Sequence, residues 1–191
     1  MDKMKELIKQ NGSYLGGGIL KVDSFINHQV DPFFMRDCGE EFARLFNHVK
    51  PTRILTAETS GVAPALMTGL ALDIPVVYAR KSKPVTMPDQ VYLTIAPSHT
   101  KGVSVELIVS PEYLQNGERV LIIDDFLASG ATIKGLVRLI QAAGATLVGI
   151  GALIEKDFEG GRELLEPLGV PIESLACITK LDENGIILKD A

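Results

Sequence analysis

Residues 120–132, Val-Leu-Ile-Ile-Asp-Asp-Phe-Leu-Ala-Ser-Gly-Ala-Thr, constrain the fold of this chain more than any other stretch. The apolar run Val120–Ile123 reads as a buried strand. Asp124 and Asp125 end it, a short loop containing Gly130 follows, and Thr132 opens a helix that runs to Ala143 and stops at Gly144. Burying adjacent carboxylates is costly, so a purely structural turn rarely carries them. Backbone N–H groups at a helix start, with the helix dipole behind them, stabilise a phosphate. Gly130 permits close backbone approach, and the Ser129 and Thr132 hydroxyls add donors. Asp124 and Asp125 would repel a phosphate and suit sugar hydroxyls. The segment therefore predicts a phosphorylated sugar, with the loop on the phosphate and the acids on the ribose.

The rest of the chain alternates around this segment. Helices are predicted over Asp2–Asn11, with Gly12 as its stop, and from Asp31-Pro32 onward with the stripe Phe34, Cys38, Phe42, Leu45, Phe46. Strands are predicted at Arg53–Ala57, Pro75–Ala79, Arg119–Ile123 and Thr146–Ile154, with helices over Val62–Leu72 and Thr132–Ala143. Apolar strands separated by amphipathic helices imply an α/β fold, a parallel sheet covered on both faces, with ligands beyond the carboxyl ends of its strands. Residues 81–110 break the pattern with Lys81, Lys83, Lys101 and three prolines. Val91–Ile95 and Val103–Val109 there can pair as a hairpin, and so long an excursion reads as a lid or an insert.

A chain of 191 residues, 46% of them hydrophobic, suffices for one core and one domain. A formal net charge of -5 argues against a nucleic-acid partner. The two cysteines, Cys38 and Cys177, lack metal-site spacing and read as reduced thiols. With neither a signal-peptide core nor a membrane-length apolar run, a cytoplasmic protein without a membrane partner is expected.

Other chemistries fit the motif less well. A P-loop enzyme needs GxxxxGK[ST], which is absent, and Gly149-Ile150-Gly151 lies inside a strand rather than in a dinucleotide-binding turn. An acid pair holding a metal leaves the Ser-Gly-Ala-Thr loop unexplained. Glu58-Thr59-Ser60-Gly61 is a second strand-to-helix junction, where free N–H groups can receive an anion or merely form a capped turn. Arg80-Lys81 reads equally as an anion contact or a solvated charge pair. Leu20–Gln29 and Ile154–Phe158 lie outside the core alternation and can cover a ligand. Within them Lys156 ends an apolar strand, Asn27 offers a donor and an acceptor, and His28 reads as a hydrogen-bonded structural residue.

The 120–132 segment resembles the 5-phosphoribosyl 1-diphosphate (PRPP) motif of the type I phosphoribosyltransferases, with Ser129 where threonine is commoner. The resemblance extends in order through LKVDSFINHQVDP, ETSGVAPALMTGL, PVVYARK and GALIEKDFEGGRELLEPLG, nearly the whole chain, and is closest to the bacterial branch that acts on xanthine. It implies that Ala128, Ser129, Gly130, Ala131 and Thr132 bind the 5′-phosphate, and that Asp124 and Asp125 bind the ribose hydroxyls. By the same resemblance Glu58, Thr59, Ser60 and Gly61, with Arg80 and Lys81, meet the diphosphate, and Leu20, Asn27 and Lys156 line the base pocket. It also implies Mg²⁺ carried mainly by the diphosphate, a homodimer, a hood built from about 14–30 and 155–191, and a flexible lid over about 81–110. The alternatives are another 6-oxopurine acceptor, such as guanine or hypoxanthine, and a non-catalytic PRPP-sensing regulator. The residues before the first core strand leave little room for the DNA-binding segment such a regulator needs.

Overall fold

The computed structural model describes residues 1–97 and 104–189. In chain order its elements are α1 (Asp2–Asn11), β1 (Ser13–Tyr14), β2 (Leu20–Lys21), α2 (Pro32–Phe46), β3 (Arg53–Ala57), α3 (Val62–Leu72), β4 (Val76–Ala79), β5 (Tyr92–Pro97), β6 (Ser104–Val109), β7 (Arg119–Leu127), α4 (Ala131–Ala142), β8 (Thr146–Lys156), α5 (Gly161–Leu165), β9 (Ile172–Asp182) and β10 (Gly185–Leu188). None of the described helices is long and apolar enough to cross a membrane.

A six-stranded sheet in the order β10-β9-β8-β7-β3-β4 forms the core. Its strands run parallel except β10, which returns antiparallel on β9. The winding reverses between β7 and β3. These two strands pair only from Arg53↔Val120 to Leu55↔Ile122, whereas β7 stays on β8 as far as Leu127↔Glu155. Beyond Leu55, then, β3 and β7 part, and a crevice opens at the switch point where α/β sheets bind ligands.

Each face of the sheet has its own apolar layer. On one, α1 contributes Met4 and Ile8, and α2 contributes Phe34, Met35, Cys38, Phe42 and Phe46. Asp31 caps α2 by accepting from the N–H groups of Phe33 and Phe34 at 3.0 and 3.1 Å, and Pro32 occupies the first turn. The rings of Phe46 and Phe42 press on β8 where Gly149 and Gly151 lie, and a side chain at either glycine would overlap them. That packing explains the glycines inside an apolar strand. On the other face, α4 packs Ile133, Leu136, Leu139 and Ile140 against Leu55, Val120 and Ile122, together with Leu107 and Val109 of β6.

Several bounds differ from the sequence expectation. The acids do not end β7: its backbone runs on through Asp124–Leu127 because β8 continues to supply ladder partners. Helix α4 starts at Ala131, so Thr132 is its second residue. Ile154–Lys156 belong to β8, and β9 and β10 extend the main sheet from a region expected only as hood. His28 is exposed; its backbone N–H, rather than its ring, bonds Asp23 O at 3.2 Å.

The 81–110 region contains the antiparallel hairpin β5–β6, paired Tyr92↔Val109 through Pro97↔Ser104. Lys101 and Val103 of the expected lid lie outside the described residues. The end of the region is not loose. Leu107, Ile108 and Val109 are buried, and Arg80 and Ile108 exchange backbone hydrogen bonds of 2.8 and 2.9 Å. Arg138 of α4 also donates to Thr94 Oγ1 and Ile95 O at 2.8 and 2.7 Å.

Candidate active site

The crevice between β3 and β7 leads into a cleft of about 420 Å³, within the usual range for a small-molecule site. Every residue expected at the site lines it except Arg80.

At one end, the loop Ala128–Gly130 turns from β7 into α4. Gly130 has φ of 74°, a conformation glycine adopts without strain, and no side chain caps the helix. The first N–H groups of α4 thus stand at the cleft, with the Ser129 and Thr132 hydroxyls beside them. The loop is backed by α5: a side chain at Gly161 would run into Ala128 O and Gly130 N.

Asp124 and Asp125 stand beside this loop. Asp124 is buried, and its Oδ1 accepts the Asp125 N–H at 3.1 Å. Burial, and then the neighbouring charge of Asp125, raise the Asp124 carboxyl well above the usual carboxylate range. Asp125 is raised too, again chiefly by burial. Lys81, across the cleft, opposes both shifts.

The second junction, Glu58–Gly61, faces the first, and its Glu58–Thr59 peptide is cis. A side chain at Gly61 would strike Thr56 Oγ1 and Asp124 Oδ1, so glycine lets this loop close on the acid pair. The Glu58 carboxylate is engaged by the two residues that follow β4. One oxygen accepts the Lys81 N–H at 2.7 Å, and the other lies 2.7 Å from Arg80 Nε as an ion pair without hydrogen-bond alignment. Arg80 lies over the Tyr78 ring at 5.7 Å and does not line the cleft. Of the two basic residues expected at the diphosphate, Lys81 lines the cleft and Arg80 does not.

At the far end, Leu20, Asn27 and Lys156 come together. Lys156 is no surface lysine, with a side chain only 7% exposed. Its Nζ donates to Gly18 O at 2.7 Å, lies 3.2 Å from Glu159 Oε1 and sits 5.5 Å from the Phe126 ring. An ammonium has three donors, of which Gly18 O takes one while Glu159 balances the charge as an ion pair, so donor capacity is left for a ligand. Phe126, Leu15, Ile19, Lys21 and Asp23 also line the cleft; the last four fall in the expected hood segment of about 14–30 without having been singled out, and Phe126 was missed in the sequence. Phe126 could have been found: it follows the acid pair inside the phosphate motif, and apolar aromatic faces suit planar ligands.

Other reactive groups lie apart from the cleft. Cys38 is buried, and that burial pushes its thiol up to about 12; burial also raises Cys177. Glu155, Asp157 and Cys177 bring possible metal-ligating atoms within 4.8 Å of one another. Both Glu155 oxygens, however, are held at 2.6 Å by Arg162, and one of them also by Ser174.

Comparison with known proteins agrees with this geometry. Residues 31–182 match the phosphoribosyl transferase domain. A xanthine phosphoribosyltransferase of Deinococcus deserti is 50% identical, covering 100% of this chain and 99% of its own. One from Latilactobacillus sakei is 47% identical, covering 100% and 97%. Among solved structures, an adenine phosphoribosyltransferase of Thermoanaerobacter pseudethanolicus superposes with a TM-score of 0.73 at 24% identity, over 91% of this chain and 99% of that one, and shares the fold. An α/β core with its cleft at the switch point, a phosphate-ready loop beside an acid pair, and full-length relatives of one kind lead to one assignment: the chain belongs to the phosphoribosyl transferase family.

Proposed function

We propose that the protein transfers the 5-phosphoribosyl group of PRPP to xanthine, giving xanthosine 5′-monophosphate and diphosphate, a purine-salvage reaction. The observation that carries this reading is the single cleft joining the α4 N-terminus, the acid pair and the buried Lys156. Full-length relatives with xanthine phosphoribosyltransferase as their name support the choice of base.

Ala128–Thr132 bind the 5′-phosphate through backbone N–H groups and hydroxyls. Asp124 and Asp125 accept from the ribose hydroxyls. Thr59, Ser60 and Gly61 receive the diphosphate, with Lys81 adding positive charge, while Glu58 fixes the backbone at Lys81. In the reaction the bond from C1 to diphosphate breaks, a purine ring nitrogen bonds C1 and its proton leaves to solvent. Positive charge builds on the ribose ring, so the chain's work is positioning and electrostatics. Mg²⁺, carried mainly by the diphosphate, would supply positive charge against the leaving group, and the Thr59 and Ser60 hydroxyls are hard oxygen donors that would suit such an ion. At the base end Lys156 donates to O6, and Leu20 and Asn27 complete the pocket. The family resemblance adds a cytoplasmic homodimer, and light scattering at assay concentration tests it by giving twice the chain mass.

Calorimetry of PRPP binding with Mg²⁺ tests the assignment of the acids. Asp124→Asn/Asp125→Asn should weaken binding severely in a folded protein, since each charge-assisted bond contributes about 1.5–3 kcal/mol. Unchanged affinity would remove the acids from the sugar site.

A further inference from the structure

Among the described residues, two buried side-chain polar atoms have no hydrogen-bond partner, Arg80 Nε and the Thr56 hydroxyl. Arg80 at least has its counter-charge in Glu58. Thr56 has nothing comparable: it is 0% exposed, on β3, one residue beyond the last β3–β7 pair. A side chain added at Gly61 would strike both Thr56 Oγ1 and Asp124 Oδ1, so hydroxyl and carboxylate face the same bare glycine carbon. The carboxylate itself is underserved. Among the described residues Asp124 accepts one N–H, from Asp125, and otherwise meets the Asp125 carboxyl, although an ionised carboxylate has about four acceptor sites.

An unsatisfied buried hydroxyl is costly and calls for a reason. Valine would fill the same volume and suit a strand at least as well. The reason lies in the neighbour. Asp124 is buried and disfavours its ionised form, yet it must be an acceptor when a sugar hydroxyl donates to it. A donor behind the carboxylate favours that form and fixes its orientation.

We propose that Thr56 is a positioning residue for Asp124, its hydroxyl donating to the carboxylate when the sugar binds. This rests on the reading that Asp124 receives the ribose of PRPP. Gly61 belongs to the same device, because a side chain there would separate the two groups.

Steady-state kinetics of Thr56→Val and Thr56→Ser, each in the native and Asp124→Asn backgrounds, test this. Thr56→Val should raise KM for PRPP about tenfold, as expected for one lost hydrogen bond to a charged group. It should change kcat less and leave Tm undiminished. Thr56→Ser keeps the hydroxyl and should stay near the native KM. In the Asp124→Asn background Thr56→Val should add nothing. Should Thr56→Val not fold, Thr56→Ala carries the same expectation for KM. A native KM in the folded variant lacking the hydroxyl, an equal rise in both backgrounds, or a serine variant as impaired as valine would overturn the proposal. If Asp124→Asn alone leaves KM unchanged, the ribose reading is what has failed, and the proposal falls with it.

Discussion

Lys156 shows what a single residue decides. Its ammonium is buried and bonded to Gly18 O, with Glu159 beside it, so it cannot swing to solvent without leaving two acceptors behind. A remaining donor can bond O6 of xanthine, guanine or hypoxanthine, but no atom of an ammonium accepts from the 6-amino group of adenine. Lys156→Met keeps much of the stem. It should lower kcat/KM for xanthine by about 2 kcal/mol or more and narrow the gap to adenine. Steady-state kinetics with both bases reads this directly, and unchanged discrimination would place base choice elsewhere. Asp124 gives a pH signature. Its carboxyl is raised in the free protein, so the folded state holds more proton than the unfolded chain. Its contribution to stability is therefore full below the ordinary carboxylate pKa and is lost as pH rises through the raised value. Sugar hydroxyls favour the ionised form, so PRPP binding should release protons and strengthen as pH rises through the same window. Calorimetry in buffers of different ionisation enthalpy should detect that release in the native protein and find it reduced in Asp124→Asn. Equal release in both would assign the proton to another group. That the acid pair and the loop would share one cleft was legible because they are adjacent in the chain. Thr56 was not, since its neighbours Gly61 and Asp124 meet only after β3 and β7 part. The direction of Arg80 was equally hidden: a sequence gives a charge but not the partner, here Glu58, that turns it from the cleft.

At the scale of elements, periodicity located α1, α2, β3 and α3 with little error. It failed where burial is one-sided or the ligand edge begins. Strand β9 mixes Glu173, Ser174, Thr179 and Lys180 with buried Leu175, Ala176, Ile178 and Leu181, so it lacks the continuous apolar run of β8. Strand β7 was cut short at its acids, although β8 holds its backbone four residues further. The hairpin β5–β6 adds a distinction invisible in composition. Ala96, Pro97, Val105 and Leu107 line the cleft, yet Leu107–Val109 are also core. Hydrogen exchange should therefore find Leu107–Val109 protected even without ligand, and ligand-dependent slowing concentrated in 82–91, which has no regular secondary structure. Slow exchange at 82–91 with and without PRPP and base would argue against closure there.

For the whole molecule, topology sets the site before any side chain is chosen. The winding reverses between β3 and β7, the strands part, and two strand-to-helix loops face each other across the gap. One loop opens α4 and the other α3, and both line the cleft beside the acid pair. The end of β8 and the segment after it close the arrangement: Lys156 lines the cleft with Glu159 beside it, while Gly161 packs against the Ala128–Gly130 loop. The proposed reading sets the phosphorylated sugar between the two loops and the base beside Lys156, whose Nζ lies 5.5 Å from the Phe126 ring. The most direct test is a competition assay. The native protein is given PRPP and Mg²⁺ with equimolar xanthine, guanine, hypoxanthine and adenine, and the nucleotides are separated. Xanthosine 5′-monophosphate should be the main product, with adenosine 5′-monophosphate the least; adenosine 5′-monophosphate as the main product, or no nucleotide at all, would contradict the account.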